Sequence, residues 1–147
     1  MTVEARVLAI LALLGLAVAF GLFLRWQTGR VRQVSGAGRV SFGELASNLV
    51  PGSADAFGEK LTFLQFSGKY CSQGPPTARV LKQLSAKTPG SAHIEVDITD
   101  RLDLAKKYQI LQTPTTLILD GTGKVKSRIG GAPKTSNLES ELGTFEI

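Results

Sequence analysis

The sequence predicts an α/β fold: a mixed sheet with helices on both faces, preceded by one transmembrane helix. Three observations predict it. An uncharged apolar run, Val7 to Leu24, comes first. Behind it, apolar segments of strand and helix period alternate in the order βαβα and then ββα, which suits one sheet covered by helices. The last two strand patterns are joined by Asp120-Gly121-Thr122-Gly123, a hairpin turn signal. At 147 residues and 43% apolar content, the chain holds one packed domain and an appendage.

The run VLAILALLGLAVAFGLFL is eighteen residues long, close to the roughly 20 that a hydrocarbon layer about 30 Å thick requires. Trp26 and Arg25 follow it, an indole and a cation suited to the headgroup region. Ala17-Val18-Ala19 resembles a signal-peptide cleavage site, but the apolar run continues through Leu24, further than a signal needs. A buried core helix fits poorly, because apolar residues cover every face. Residues 1–24 are therefore expected to anchor the chain in the cell membrane as a single pass, contacting the bilayer through residues 7–24. Arg25, Arg30 and Arg32 follow the span, whereas Arg6 before it is offset by Glu4. Excess Lys/Arg marks the cytoplasmic side, so the downstream domain is expected there.

Thr28 to Val40 is rich in Gly, Ser and Arg without periodicity, and residues 25–40 are expected to form a basic juxtamembrane linker. Residues 41–147 form the domain. Phe42, Leu45, Ala46 and Leu49 fall on one helical face, stopped by Pro51-Gly52. Leu61 to Phe66 is an apolar run bounded by polar residues, as in a buried strand. A helix then begins near Pro75 or Pro76, with Val80, Leu81, Leu84 and Ala86 inward, and ends at Pro89-Gly90. A strand over 93–98 follows, then a short helix with Leu102, Leu104, Ala105 and Tyr108 on its apolar face. Thr115 to Leu119 and Lys124 to Ile129 form the hairpin, and Thr135 to Leu142 the last helix.

The net charge of +5 is local. Four arginines and no acid lie within residues 25–40, while 12 Lys/Arg face 11 Asp/Glu from Ser41 onward. Nucleic acid is set aside as a partner, since its binding needs basic charge gathered on the folded domain. One cysteine excludes an internal disulfide and a Cys-based zinc cage, and no metal or cofactor is expected. His93, the one histidine, is expected to open its strand exposed to solvent. Without a nucleophile motif beside it, that histidine reads as structural or solvated.

Phe63-Leu64-Gln65-Phe66-Ser67-Gly68-Lys69-Tyr70-Cys71 resembles the central strand of the thioredoxin family running into the aromatic-Cys start of its C-x-x-C motif. Gln112-Thr113-Pro114-Thr115 resembles that family's cis-proline loop. Asp120-Gly121 matches its hairpin turn, and Ile129-Gly130-Gly131 its glycine bend before the final helix. The resemblance covers about Lys60 to Leu142 and implies a thioredoxin-like fold. It also departs from the family. The motif reads Cys71-Ser72-Gln73-Gly74, so glycine replaces the resolving cysteine. Tyr70 stands where the family usually has Trp. Gln65 stands where many members carry a buried Asp that handles protons for the resolving thiol.

The resemblance implies Cys71 as the catalytic thiol, and Tyr70, Thr113 and Pro114 as the substrate-binding surface, with the Thr113 backbone presented to an extended peptide. A thiolate that attacks a disulfide becomes half of a mixed disulfide. Without a second cysteine, an outside thiol must release it. The partner at Cys71 is then a protein or a low-molecular-weight thiol or disulfide. Two consecutive prolines put Cys71 outside the first helical turn, so a thiol less activated than in true thioredoxins is expected, offset modestly by Lys69. The expected function is a membrane-tethered thioredoxin-like protein in thiol–disulfide redox processes, acting as a monothiol through Cys71. Its rival is a non-catalytic binding module holding a partner at the membrane. A cluster-binding role like that of monothiol glutaredoxins fits less well, because Cys-Gly-Phe-Ser is not matched by Cys-Ser-Gln-Gly.

Overall fold

The computed structural model describes residues 2–34 and 38–145. Helix α1, Val3–Gln27, runs unbroken for 25 residues, about 37 Å at 1.5 Å per residue. The Ala5 N–H donates to the Thr2 hydroxyl at 3.3 Å. Thr28 closes the other end, donating its N–H and its hydroxyl to the Leu24 carbonyl at 3.1 and 3.0 Å. No α1 residue is buried. By length and composition the helix is able to cross a membrane.

Strand β1, Val31–Gln33, follows almost at once and pairs antiparallel with β5, Val125–Gly130, with Val31 opposite Ile129 and Gln33 opposite Ser127. The stretch expected to be a plain tether is thus largely bonded to the sheet. Gly29 N–H donates to the Gly130 carbonyl at 2.9 Å, Val34 N–H to Lys126 at 3.0 Å, and Val40 N–H to Gly123 at 2.9 Å. Backbone pairing needs no apolar alternation, and β1 covers an edge of β5 that would otherwise stand open. Residues 35–37 of that stretch, like 1, 146 and 147, lie outside the described residues.

Helix α2, Phe42–Leu45, continues as a 3₁₀ turn over Ala46–Asn48. Then come β2, Leu61–Ser67; α3, Gly74–Lys87; β3, Ser91–Asp97; α4, Leu102–Lys107; β4, Thr115–Asp120; β5; and α5, Thr135–Leu142. The five strands lie in the order β1-β5-β4-β2-β3. β2 and β3 are parallel, joined through α3, and the remaining pairs are antiparallel. β2 is buried along its whole length, as its position between two strands and two helical layers demands. Its alternation feeds both cores. Leu61 and Phe63 meet Leu81 of α3, Leu138 of α5, Ile118 and Ile129 on one face. Leu64 and Phe66 meet Leu45 of α2, Leu104 of α4, Tyr108, Leu117 and Leu119 on the other.

Several expected positions differ. β3 begins at Ser91, opposite Leu61, so His93 is its third residue and only 5% exposed, not a solvated strand start. In α3 the buried stripe runs Thr77, Leu81 and half-buried Leu84, at i, i+4 and i+7, which turns Ala86 to solvent. Ala46 is exposed because the α-helix has already tightened into its 3₁₀ turn. Leu102 opens α4 and is exposed, so the inner face of that helix is carried by Leu104, Ala105 and Tyr108.

Candidate functional site

Cys71 stands in the turn between β2 and α3. Its N–H donates to the Gly68 carbonyl at 3.0 Å, and its carbonyl accepts from the Gly74 N–H at 3.3 Å. The thiol is free and half-buried. Gln73 is the N-cap of α3, and Thr77 N–H to Gln73 carbonyl, 3.2 Å, is the first bond of the helical ladder. Pro75 and Pro76 therefore sit in the first turn, where an N–H has no partner within the helix and its loss costs nothing. The prolines also remove two donors from the helix end. The Gly74 N–H is already bonded to Cys71, so the first turn of α3 has no free N–H to offer a thiolate.

Gly74 occupies the second motif position. A Cβ there would lie 4.0 Å from the Cys71 Cβ and 3.5 Å from that of Ser67. Disulfides span Cβ separations of roughly 3.5–4.5 Å. The turn thus keeps a backbone shape compatible with a dithiol, while the second sulfur is missing.

The turn is fastened to its neighbours. Lys69 N–H donates to the Thr99 hydroxyl at 2.8 Å. Thr99 in turn donates its hydroxyl and N–H to Asp97 at 2.6 and 2.8 Å. Those two bonds, hydroxyl first, hold the Asp97 carboxyl below the usual carboxylate range, with Lys69 adding to the effect. Opposite runs the loop before β4. The Thr113–Pro114 bond is cis, Pro114 is buried, and its carbonyl accepts from the Gly131 N–H at 2.8 Å. Thr113 Oγ1 lies 3.8 Å from where a Gly68 Cβ would stand, so the two loops are in contact range and a glycine keeps them close. Thr113 is exposed, and Tyr70 is 87% exposed. Leu111, two residues before Thr113, is 96% exposed.

Beneath the Cys71 turn, Gln65 donates from Nε2 to the Gly74 carbonyl at 3.0 Å, and its Oε1 lies 3.0 Å from His93 Nε2. Both side chains are buried. Burial, with Lys82 adding, lowers the His93 pKa to about 4. Thr77 Oγ1, Thr116 Oγ1 and His93 Nδ1 are buried without a hydrogen-bond partner among the described residues. Thr116 is the register partner of Gln65 on β4. At the position where many members of the resembled family carry an acid, Gln65 forms a buried amide–imidazole pair with His93, with Thr116 beside it in the register. Sequence reading missed His93 because it placed the residue at a strand end; flanking Ala92 and Ile94, with no polar neighbour, were the available signal. Leu111 was equally legible as a leucine in a loop with no periodic partner. Among the described residues, no three His, Cys, Asp or Glu side chains gather to hold a metal ion.

No family model matches the chain. Thioredoxin H5 of Oryza sativa subsp. japonica is 26% identical over 72 residues, a match spanning 49% of this chain and 53% of that protein. The chain thus aligns with about half the length of that relative. Among solved structures, reduced thioredoxin pre-protein of Schistosoma mansoni is 25% identical with a TM-score of 0.51, over 59% of this chain and 80% of that one. Thioredoxin of Fasciola hepatica is 22% identical with a TM-score of 0.51, covering 60% and 83%. Oxidized mitochondrial thioredoxin 3 of Saccharomyces cerevisiae is 20% identical with a TM-score of 0.51, covering 58% and 79%. The strand order, the cis Thr113–Pro114 bond and these likenesses agree: the chain has a thioredoxin-family fold.

Proposed function

We propose that the chain is a membrane-tethered monothiol exchange protein that works through Cys71, with α1 in the bilayer and the domain on the cytoplasmic face. The observation that carries the proposal is the half-buried thiol of Cys71 in a turn whose Gly68 lies within contact range of Thr113, the residue before the cis Pro114. In the first step the Cys71 thiolate attacks a mixed disulfide. One S–S bond forms to Cys71, one breaks, and the substrate leaves as a thiolate. In the second step an outside low-molecular-weight thiolate attacks the Cys71 disulfide, regenerates Cys71 and leaves as the oxidised small disulfide. Two electrons pass from small thiol to substrate. Exposed Thr113 offers its backbone for strand-like pairing with a peptide, and the exposed ring of Tyr70, the residue before Cys71, offers apolar surface to the same partner.

The test is reduction of a small mixed disulfide under excess low-molecular-weight thiol by the full chain in lipid nanodiscs, beside its Cys71→Ala variant. The expected wild-type rate exceeds that of the variant by roughly tenfold or more. Equal rates would overturn the exchange function. They would favour the second reading, a binding module, for which the exposed side chains of Tyr70 and Leu111 are the supporting observation. Protease protection on intact spheroplasts tests the orientation: the domain is expected to survive, and its digestion from outside would reverse the cytoplasmic assignment.

A further inference from the structure

Where α1 meets the sheet, positive charge gathers, and among the described residues no acid pairs with it. Arg32 of β1 is the register partner of Arg128 on β5. Directly opposed side chains on antiparallel strands are neighbours, and like charges there repel. Arg30, two residues before Arg32, lays its guanidinium 3.6 Å from the centre of the Trp26 ring. All three arginines line one cavity of about 390 Å³. Among the described residues no carboxylate lines it, and none of the three forms a salt bridge.

Arg128 is aimed and partly spent. It donates to the backbone carbonyls of Tyr108 and Gln109 at 2.5 and 2.8 Å, which fix the guanidinium but leave its charge uncompensated and further N–H donors free. The remaining wall is mixed. Leu24 of α1 and the exposed Leu111 bring apolar surface, and Gln112 brings an amide. Three cations and two leucines thus line a cavity at the end of a helix able to cross a bilayer.

We propose that this cavity binds the phosphate of an anionic phospholipid headgroup. The site takes its charge from Arg30, Arg32 and Arg128, and Leu24 and Leu111 lie toward the acyl chains. A soluble anion would use the same cations but would gain nothing from the apolar wall or from the depth at which α1 sets the cavity. The assignment rests on α1 spanning the membrane. It gives the tether a further role, because Gln112 of the cavity directly precedes Thr113. A bound headgroup would hold the Thr113–Pro114 loop at the bilayer surface.

The full chain would be placed in nanodiscs of phosphatidylcholine alone, of phosphatidylcholine with about one third phosphatidylglycerol, and of phosphatidylcholine with added inorganic phosphate, and its unfolding midpoint measured. Phosphatidylglycerol is expected to raise the midpoint by about 5 °C. The Arg30→Gln/Arg32→Gln variant is expected to lose that rise, and a Lys87→Gln/Lys106→Gln variant of equal charge to keep it. Inorganic phosphate is expected to leave the midpoint unchanged. Equal midpoints in the two lipid compositions, or an equal rise in the arginine variant, would overturn the site. An equal rise with inorganic phosphate would overturn the lipid and assign the cavity to a soluble anion. Failure to enter phosphatidylcholine discs at all would overturn the membrane tether, and the headgroup with it. Insertion without lipid dependence would overturn the cavity assignment alone.

Discussion

Gln65 is oriented by its two partners. Because its Nε2 donates to the Gly74 carbonyl, its Oε1 faces His93, and the His93 Nε2 must donate. Nδ1 then carries the lone pair in a buried position with no partner among the described residues. A second proton there would place a charge in the core, which is why burial pushes the pKa from 6.5 to about 4. The sign follows from linkage. Between pH 6.5 and about 4 the unfolded histidine binds a proton that the folded one refuses, so stability falls as pH falls through that window and levels off below it. The full effect is roughly 3 kcal/mol. Urea denaturation at pH 7 and pH 4 is expected to show this loss in wild type and to show it diminished by about that amount in His93→Gln. Identical pH slopes would contradict the buried neutral imidazole. Of this cluster the sequence made Gln65 and Gly74 legible, because the family pattern fixes their spacing from Cys71. His93 needed the register of β2 with β3, which a single sequence does not carry.

The junction of α1 with β1 turns on two backbone positions. Gly29 has φ +78, and a Cβ on it would lie within 2.4 Å of the Ala132 carbonyl oxygen. Its N–H bonds the Gly130 carbonyl at 2.9 Å, and its own carbonyl accepts from Asn137 of α5 at 3.3 Å. Only glycine accommodates both the left-handed turn and the close approach. Gly29→Ala is expected to destabilise the chain by about 2 kcal/mol and to speed hydrogen exchange in Val31–Gln33 first. Unchanged exchange there would mean that the anchor and the sheet are not fastened at this point. The three residues of β1 were illegible because Val-Arg-Gln has neither the length nor the alternation of a strand; pairing with β5 alone creates it. The start of α3 was legible within two residues, because tandem prolines are tolerated only in the first turn of a helix.

At the scale of the whole molecule, α1 leads into the sheet through only a few residues, so the loop before β4, whose Gln112 lines one cavity with Leu24, is held near the helix end instead of swinging on a long tether. The general architecture was readable because periodicity switches between helix and strand at each Gly or Pro boundary, and the hairpin and α5 fell where expected. The packing of the helix end against β5 was not readable, since it depends on contacts among Gly29, Gly130 and Asn137 that are far apart in the chain. The central claim is that a thioredoxin-family turn survives here with its first thiol working alone. Its most direct test is intact-mass spectrometry of the full chain and of a Gly74→Cys variant after reaction with a small aromatic disulfide. Wild type is expected to hold one adduct on Cys71 until a low-molecular-weight thiol is added. The variant, whose two Cβ atoms would stand 4.0 Å apart, is expected to expel the adduct unaided and to end two mass units lighter, with an internal disulfide. Absence of any adduct on wild type, or its spontaneous loss at the rate of the variant, would contradict the claim.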